Sequence, residues 1–187
     1  MVARGLAARG IGHRLTERHR SLAREVAIGV LPEFPGVDDD ESYGNRIFLR
    51  HYCVPLSGPN PAAALPEFRG DAAAARAFNG DLPQRLAPWR ERLASDDPAD
   101  LGRRIARKTL FAVAGLVSVH DGSWTTDRAS AAERWGAIHP ELRADLARLR
   151  AWADGEDAPR RPELALALDG VVATIAAQFT GAIGAWN

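Results

Sequence analysis

The sequence has few of the residues that mark disulfide-bonded, metal-rich or membrane-spanning proteins. It contains one cysteine, Cys53, which excludes an internal disulfide and a cysteine-rich metal site. Its five histidines are not spaced like the ligands of a zinc site. The apolar stretches are short or interrupted for a membrane span, and the N-terminus has no apolar core typical of a secretory signal. We therefore expect a cytoplasmic protein that does not cross a membrane, with Cys53 as a small buried side chain.

The chain also lacks an excess of charge of either sign. Its 24 basic and 24 acidic residues balance, which argues against nucleic acid or an anionic membrane as an obligatory partner. Lysine occurs once, at Lys108, and the other basic residues are arginines. Because arginine and alanine are so frequent, arginine-based motifs arise easily by chance. With 187 residues, 46% of them hydrophobic, the chain is long enough to bury a sizeable core.

Several familiar catalytic motifs are missing. No G-x-S-x-G, Walker A or dinucleotide-binding glycine pattern is present. Asp38 and Asp40 have the D-x-D spelling of a magnesium-binding pair, but they follow Pro35 and Gly36 in an acidic loop. No apolar strand precedes them to hold the two carboxylates rigidly, so we interpret this segment as a solvated loop.

Hydrophobic periodicity predicts a mainly α fold, a helical bundle with one or two short strands near the N-terminus. Val26, Ile28 and Val30 alternate with other residues, which predicts a strand over 25–31. A kink is expected at Gly170 in the last helix. Helices are predicted at 2–24, 43–52, 71–79 and 82–94, and from Pro98 to Asp121. A polar turn and another helix follow Asp121, and two more helices begin at Pro140 and near Pro162.

The most informative stretch is a long helix that begins near Pro98. Residues 109–119 are apolar on nearly every side, which is typical of a helix surrounded by others. Its first turns carry two i,i+4 pairs that predict one basic flank, formed by Arg103, Arg104, Arg107 and Lys108.

A polar turn follows this helix. Asp121 and Gly122 are expected to end the helix, and Thr125 or Thr126 to cap the next one. Trp124 lies between them. A basic flank, a tryptophan and a helix N-terminus near the end of a buried helix favour a site for a phosphate-bearing or polyhydroxylated ligand.

The same stretch resembles the helical C-terminal part of nucleotidyltransferases of the DNA-polymerase-β type, in particular aminoglycoside-adenylyltransferase-like proteins. The resemblance is carried by Arg107-Lys108, by the turn from Asp121 to Arg128, and by the Ala-rich helix whose end reads W-x-x-x-x-P from Trp135 to Pro140. It extends more weakly from Glu25 to Trp152. In this family a small α/β domain carries a Gly-Ser and an Asp-x-Asp strand that hold the nucleotide and magnesium, and neither feature is found ahead of the helices here.

The resemblance therefore implies that the chain begins inside the catalytic domain. Residues 1–60 would be a remnant of the α/β nucleotidyltransferase domain, and residues 61–187 the helical domain that faces substrate and nucleotide. Glu25 would be the relic of the family's third carboxylate. The family reaction moves a nucleoside monophosphate from a magnesium-bound triphosphate, such as ATP, to a hydroxyl of a small acceptor. We do not expect this chain alone to catalyse that transfer.

The candidate binding residues come from the same stretch. Arg107 and Lys108 would clamp a phosphate or carboxylate, or else form a solvated basic flank. Trp124 would stack on an adenine or a sugar, or anchor the turn. Asp121 would orient an acceptor hydroxyl or only end its helix, and the remaining candidates are Thr126 as a helix cap, Asp127 as a first-turn charge and Arg128 as a phosphate contact.

Two other function classes remain open. The chain could be a non-catalytic binding or assembly module, docking a partner or a second copy as a homodimer. It could also belong to a class of helical nucleases with an R-x4-H motif, matched by Arg46 and His51. Two further matches, Arg14 with His19 and Arg134 with His139, show how readily this pattern arises in an arginine-rich chain.

Overall fold

The computed structural model describes residues 2–22, 26, 28 and 39–186. The chain divides into two compact units, residues 1–37 and residues 38–187. In the first unit, helix α1 spans Val2–Arg18, and the Thr16 hydroxyl donates to the Gly12 carbonyl (2.9 Å) and accepts from the Val26 amide (2.9 Å). The strand predicted over 25–31 lies outside the described residues except for Val26 and Ile28, and so do Glu25 and Asp38.

The second unit confirms the mainly α class. No strand occurs among its described residues, 39–186. The elements in order are α2 (Asp40–His51), α3 (Ala72–Asn79), α4 (Leu82–Arg92), α5 (Pro98–Asp121), α6 (Arg128–Ile138), a short 3-10 helix (Pro140–Leu142), α7 (Arg143–Asp154), α8 (Arg161–Ala167), a π-helical turn (Leu168–Val172) and α9 (Ala173–Ala182).

Helix α5 is the centre of this unit and packs against α3, α4, α6, α7, α8 and α9. It begins where predicted, because the Asp97 carboxylate accepts from the Asp100 amide (2.9 Å) and Pro98 occupies the first turn. It ends at Gly122, whose φ of 63° is the left-handed conformation that glycine adopts without strain. Between these ends Ile105, Leu110 and Val113 are fully buried, and each such side chain contributes about 1.5–3 kcal/mol of hydrophobic stabilisation.

The last helical stretch, Arg161–Ala182, is long and apolar enough to cross a membrane by length and composition alone. Part of this stretch packs in the core of the bundle, while Leu166 is exposed. The predicted kink is confirmed at Gly170, where φ is −101° and ψ is −108°. The buried face of this stretch consists of Leu164, Leu168, Val171, Val172, Ile175, Phe179 and Ile183.

Two local predictions are wrong. Helix α6 is capped by Asp127 and not by Thr126, because the Asp127 carboxylate reaches the amides of Ala129 (3.3 Å) and Ser130 (3.1 Å). Cys53 is exposed and not buried, because it lies in the loop after α2 and no helix covers that loop.

Candidate functional site

A cavity of about 460 Å³ lies between α2, α3, α5 and the turn that joins α5 to α6. Its volume is in the range of pockets that hold small organic molecules. The lining is mostly apolar, and its large side chains are five aromatic residues, Phe48, Tyr52, Phe78, Phe111 and Trp124.

One face of α5 forms the wall of this cavity. Lys108, Phe111, Gly115 and Ser118 follow one another at helical spacings of three and four residues, and all four line the cavity. A Cβ at Gly115 would lie 3.2 Å from the Cβ of Ala75 on α3, so the small residues let the two helices approach closely. Phe111 interrupts the otherwise buried central run of α5 because it faces this space.

The opposite wall is a set of aromatic rings in contact with one another. Phe48 and Tyr52 stack one helical turn apart on α2, with ring centroids 5.9 Å apart. Tyr52 meets Phe78 edge to face at 6.4 Å, and its hydroxyl accepts a hydrogen bond from the Trp124 indole (2.9 Å). The sequence interpretation missed Phe48, Tyr52, Phe78 and Phe111. The i,i+4 spacing of Phe48 and Tyr52 was the available signal.

The turn after α5 is fixed beside the cavity by backbone contacts. The Thr125 amide donates to the Ser118 hydroxyl (3.1 Å). A Cβ at Gly70 would lie 2.5 Å from the Ser123 carbonyl oxygen, so only glycine permits this approach of the loop before α3. As a result Trp124, Thr125 and Thr126 line the cavity.

Lys108 supplies a charged group to this apolar space. Its Nζ donates to the Phe78 carbonyl (2.9 Å) and lies 2.6 Å from the Asp81 carboxylate. Burial alone would raise the pKa of Asp81, but hydrogen bonds and charges from Lys108 and Arg85 outweigh burial and lower that pKa. The Lys108 ammonium is therefore paired with a carboxylate, as a charge in apolar surroundings has to be.

Asn79 is the second polar group of the same wall. Its side chain is buried, with 6% of the residue exposed, and it lines the cavity at the end of α3. Its Nδ2 donates to the Phe111 carbonyl on α5 (3.2 Å). Its Oδ1 has no hydrogen-bond partner among the described residues.

The predicted clamp of Arg107 and Lys108 is split between two sides of α5. Consecutive helical residues point about 100° apart, so the two side chains cannot share a face. Arg107 donates to the Ala153 carbonyl (3.0 Å) near the end of α7 and does not line the cavity. A cation at that position stabilises the C-terminal end of α7.

Asp121 also lies away from the cavity lining. The Arg134 guanidinium donates to both oxygens of Asp121 (2.9 Å each). The Nδ1 atom of His120 lies 2.7 Å from one of these oxygens. These hydrogen bonds, chiefly the one from Arg134, hold the pKa of Asp121 far below its usual range.

Asp127 and Arg128 belong to the first turn of α6. Hydrogen bonds from the Ser130 side chain and from the amides of Ser130 and Ala129 lower the pKa of Asp127, which stays ionised at the helix N-terminus. Arg128 lies over the Phe111 ring, 5.6 Å from its centroid, and 3.7 Å from the Asp154 carboxylate. Of the seven predicted binding residues, Lys108, Trp124 and Thr126 line the cavity. Arg128 does not line it but contacts Phe111, which does.

The resemblance implies magnesium and ATP, and magnesium takes oxygen ligands from acidic side chains. Over residues 2–22 and 39–186 no group of three or more histidine, cysteine or acidic side chains is placed to share a metal ion. Asp40 is paired with Arg76 (2.8 Å). Glu25, predicted from the family resemblance as the relic of a carboxylate ligand, lies outside the described part of the chain.

Comparisons with known proteins do not place the chain in a family: no family model, curated protein or solved structure matches it. The resemblance to nucleotidyltransferases therefore depends on motifs alone and stays a prediction. The function has to be inferred from the cavity and the residues around it.

Proposed function

We propose that this chain is a non-catalytic small-molecule-binding protein, and that its ligand is a flat, uncharged and largely apolar molecule held in the cavity beside α5. The observation that carries the proposal is the aromatic wall formed by Phe48, Tyr52, Phe78 and Trp124, with Phe111 opposite. A flat ring packs favourably against aromatic faces and edges such as these. The small residues of α5 and α3 in the lining add little bulk to it.

The charges around the cavity support an uncharged ligand. The lining has one cation, Lys108, already paired with Asp81, and one anion, Asp71, which caps α3 by accepting from the Ala74 amide (3.0 Å). A multiply charged phosphate would be repelled by Asp71 and by Asp81. It would also find the N-terminus of α6 occupied by the carboxylate of Asp127.

Descent from the acceptor side of a nucleotidyltransferase is a second candidate, favoured by one observation. Lys108, Trp124 and Thr126, which the resemblance pointed to, line one cavity. In this version the cavity would take the acceptor or a base, and nucleotide transfer would need metal-binding groups that the described residues do not supply. The cytoplasm remains the expected compartment.

A titration with phenylnaphthylamine, an uncharged flat fluorophore that brightens in apolar sites, tests the binding proposal. We expect saturable binding of one probe per chain with a micromolar Kd. Thr126→Trp should weaken it at least tenfold, because the larger side chain enters the mouth of the cavity. The matched control is Thr174→Trp, an exposed threonine on α9 that does not line the cavity. Absence of saturable binding, or equal weakening by both variants, would contradict the proposal.

A further inference from the structure

We infer that the ligand presents a lactam edge, an N–H group beside a carbonyl oxygen, to Lys108 and Asn79. This inference rests on the proposed function and adds the chemistry by which the cavity selects its ligand. It starts from a contrast within the lining. The cavity is mostly apolar, but the amide of Asn79 and the ammonium of Lys108 belong to its wall. Polar groups in such surroundings are costly unless each finds a partner.

Lys108 provides a hydrogen-bond donor. An ammonium carries three N–H groups. The nitrogen donates to the Phe78 carbonyl and pairs with the Asp81 carboxylate, and these two partners leave one N–H without a partner in the part of the chain that the structure describes. Because Lys108 lines the cavity, a carbonyl oxygen of the ligand can accept this third hydrogen bond.

Asn79 provides the matching acceptor. The Phe111 carbonyl can only accept, so the Asn79 atom that faces it is the amide nitrogen, and the amide oxygen is the atom left without a partner. The residue is 6% exposed and lines the cavity. A ligand N–H can donate to this oxygen.

The two groups lie at one junction between α3 and α5. Asn79 directly follows Phe78, whose carbonyl accepts from Lys108, and Phe111, whose carbonyl accepts from Asn79, lies one turn after Lys108. The paired hydrogen bonds thus tie the same two helical turns together. A cyclic amide, in which the N–H and the carbonyl point the same way, would use the donor and the acceptor of this junction together.

The surrounding charges select against ionised alternatives. A carboxylate placed at Lys108 would approach Asp81, which lies 2.6 Å from the ammonium nitrogen. A cationic ligand at Asn79 would approach Lys108 itself. An uncharged lactam satisfies both open positions without placing like charges together.

The test is displacement of phenylnaphthylamine by three flat bicyclic compounds. Carbostyril has the lactam edge, N-methylcarbostyril has lost the N–H, and naphthalene has lost both polar groups. We expect carbostyril to bind at least tenfold more tightly than either of the others. In Asn79→Leu, whose fold is checked by circular dichroism, the preference for carbostyril over N-methylcarbostyril should disappear.

The results separate this inference from the proposed function. If the fluorophore binds but the three compounds displace it equally, the lactam edge is wrong and the binding function stands. If the fluorophore does not bind, the binding function itself is wrong. Should Asn79→Leu fail to fold, the comparison of the three compounds on the unaltered protein decides the question, and Lys108→Met provides the second variant.

Discussion

The two faces of α5 differ in what they bury. The face toward α6, α7 and α9 carries Ile105, Val113 and Leu116, which are buried. The other face carries Lys108 and Phe111 beside small residues and borders a cavity of about 460 Å³. A packing defect would need no ammonium or amide on its wall, and both are costly in apolar surroundings. The contrast supports the proposal that one face of the helix maintains the fold and that the other takes a ligand.

The largest effect is expected on the packed side. Trp152→Ala removes a side chain of α7 that is 2% exposed and should lower the free energy of unfolding by about 3–5 kcal/mol. Urea denaturation followed by circular dichroism measures this. Leu166→Ala, at a leucine that is 74% exposed, serves as the control and should change stability by less than about 0.5 kcal/mol. A cost below about 1 kcal/mol for Trp152→Ala would show that this side is not tightly packed.

On the cavity side a substitution should weaken ligand binding more than it lowers stability. Trp124→Ala removes an aromatic wall and the hydrogen bond to Tyr52, so phenylnaphthylamine should bind about tenfold more weakly, as expected for the loss of roughly 1.4 kcal/mol of contact energy. Stability should change little, because Trp124 is 38% exposed. Trp186→Ala is the control, since Trp186 bonds the Arg76 carbonyl and does not line the cavity. If both variants bind the probe as the unaltered protein does, the aromatic wall has no part in binding.

A change at the N-terminal end of α5, which both faces share, should lower stability without changing ligand binding. Asp97→Ala removes the N-terminal cap and should cost about 1 kcal/mol, while probe affinity stays unchanged in the folded protein. Asp97→Asn keeps an oxygen able to accept from the Asp100 amide and should retain most of that stability. Thermal unfolding of the two variants side by side provides the measurement. Equal losses would indicate that the charge of Asp97, and not its cap, is what matters.

The smallest effect concerns pH and an exposed ion pair at the start of α8. Hydrogen bonds from the Arg160 side chain and backbone lower the pKa of Glu163 from 4.5 to about 2. Because the folded value is the lower one, this stabilisation is present above the unfolded pKa and is lost as the pH falls toward 2. Glu163→Gln should therefore flatten the acid limb of the stability curve between about pH 4.5 and 2. A limb of unchanged slope would mean that the pair contributes nothing in solution.

Local signals were sufficient for much of the fold. The cap at Asp97, the stop at Gly122, the kink at Gly170 and the apolar face of the last helix each depend on residues close in sequence. The choice between Thr126 and Asp127 failed because both residue types cap helices well and adjacent positions compete. The split of Arg107 from Lys108 follows from helix geometry and could have been predicted.

The cavity could not be predicted in the same way. Its polar pair exists only because the end of α3 meets one turn of α5, which brings Asn79 to Phe111 and Lys108 to Phe78, contacts about 30 residues apart in sequence. The exposed aromatic residues of α2 acquire a role only once the turn after α5 places Trp124 against Tyr52. Such contacts depend on how helices pack and leave little trace in local periodicity.

Lys108 offers the most direct test because it is the only lysine of the chain. Protein grown with isotope-labelled lysine gives one side-chain ammonium signal in an NMR spectrum. The account predicts that this signal shifts as carbostyril saturates the cavity and shifts much less with N-methylcarbostyril at equal concentration. Saturation of the cavity by carbostyril with an unmoved Lys108 signal would contradict it.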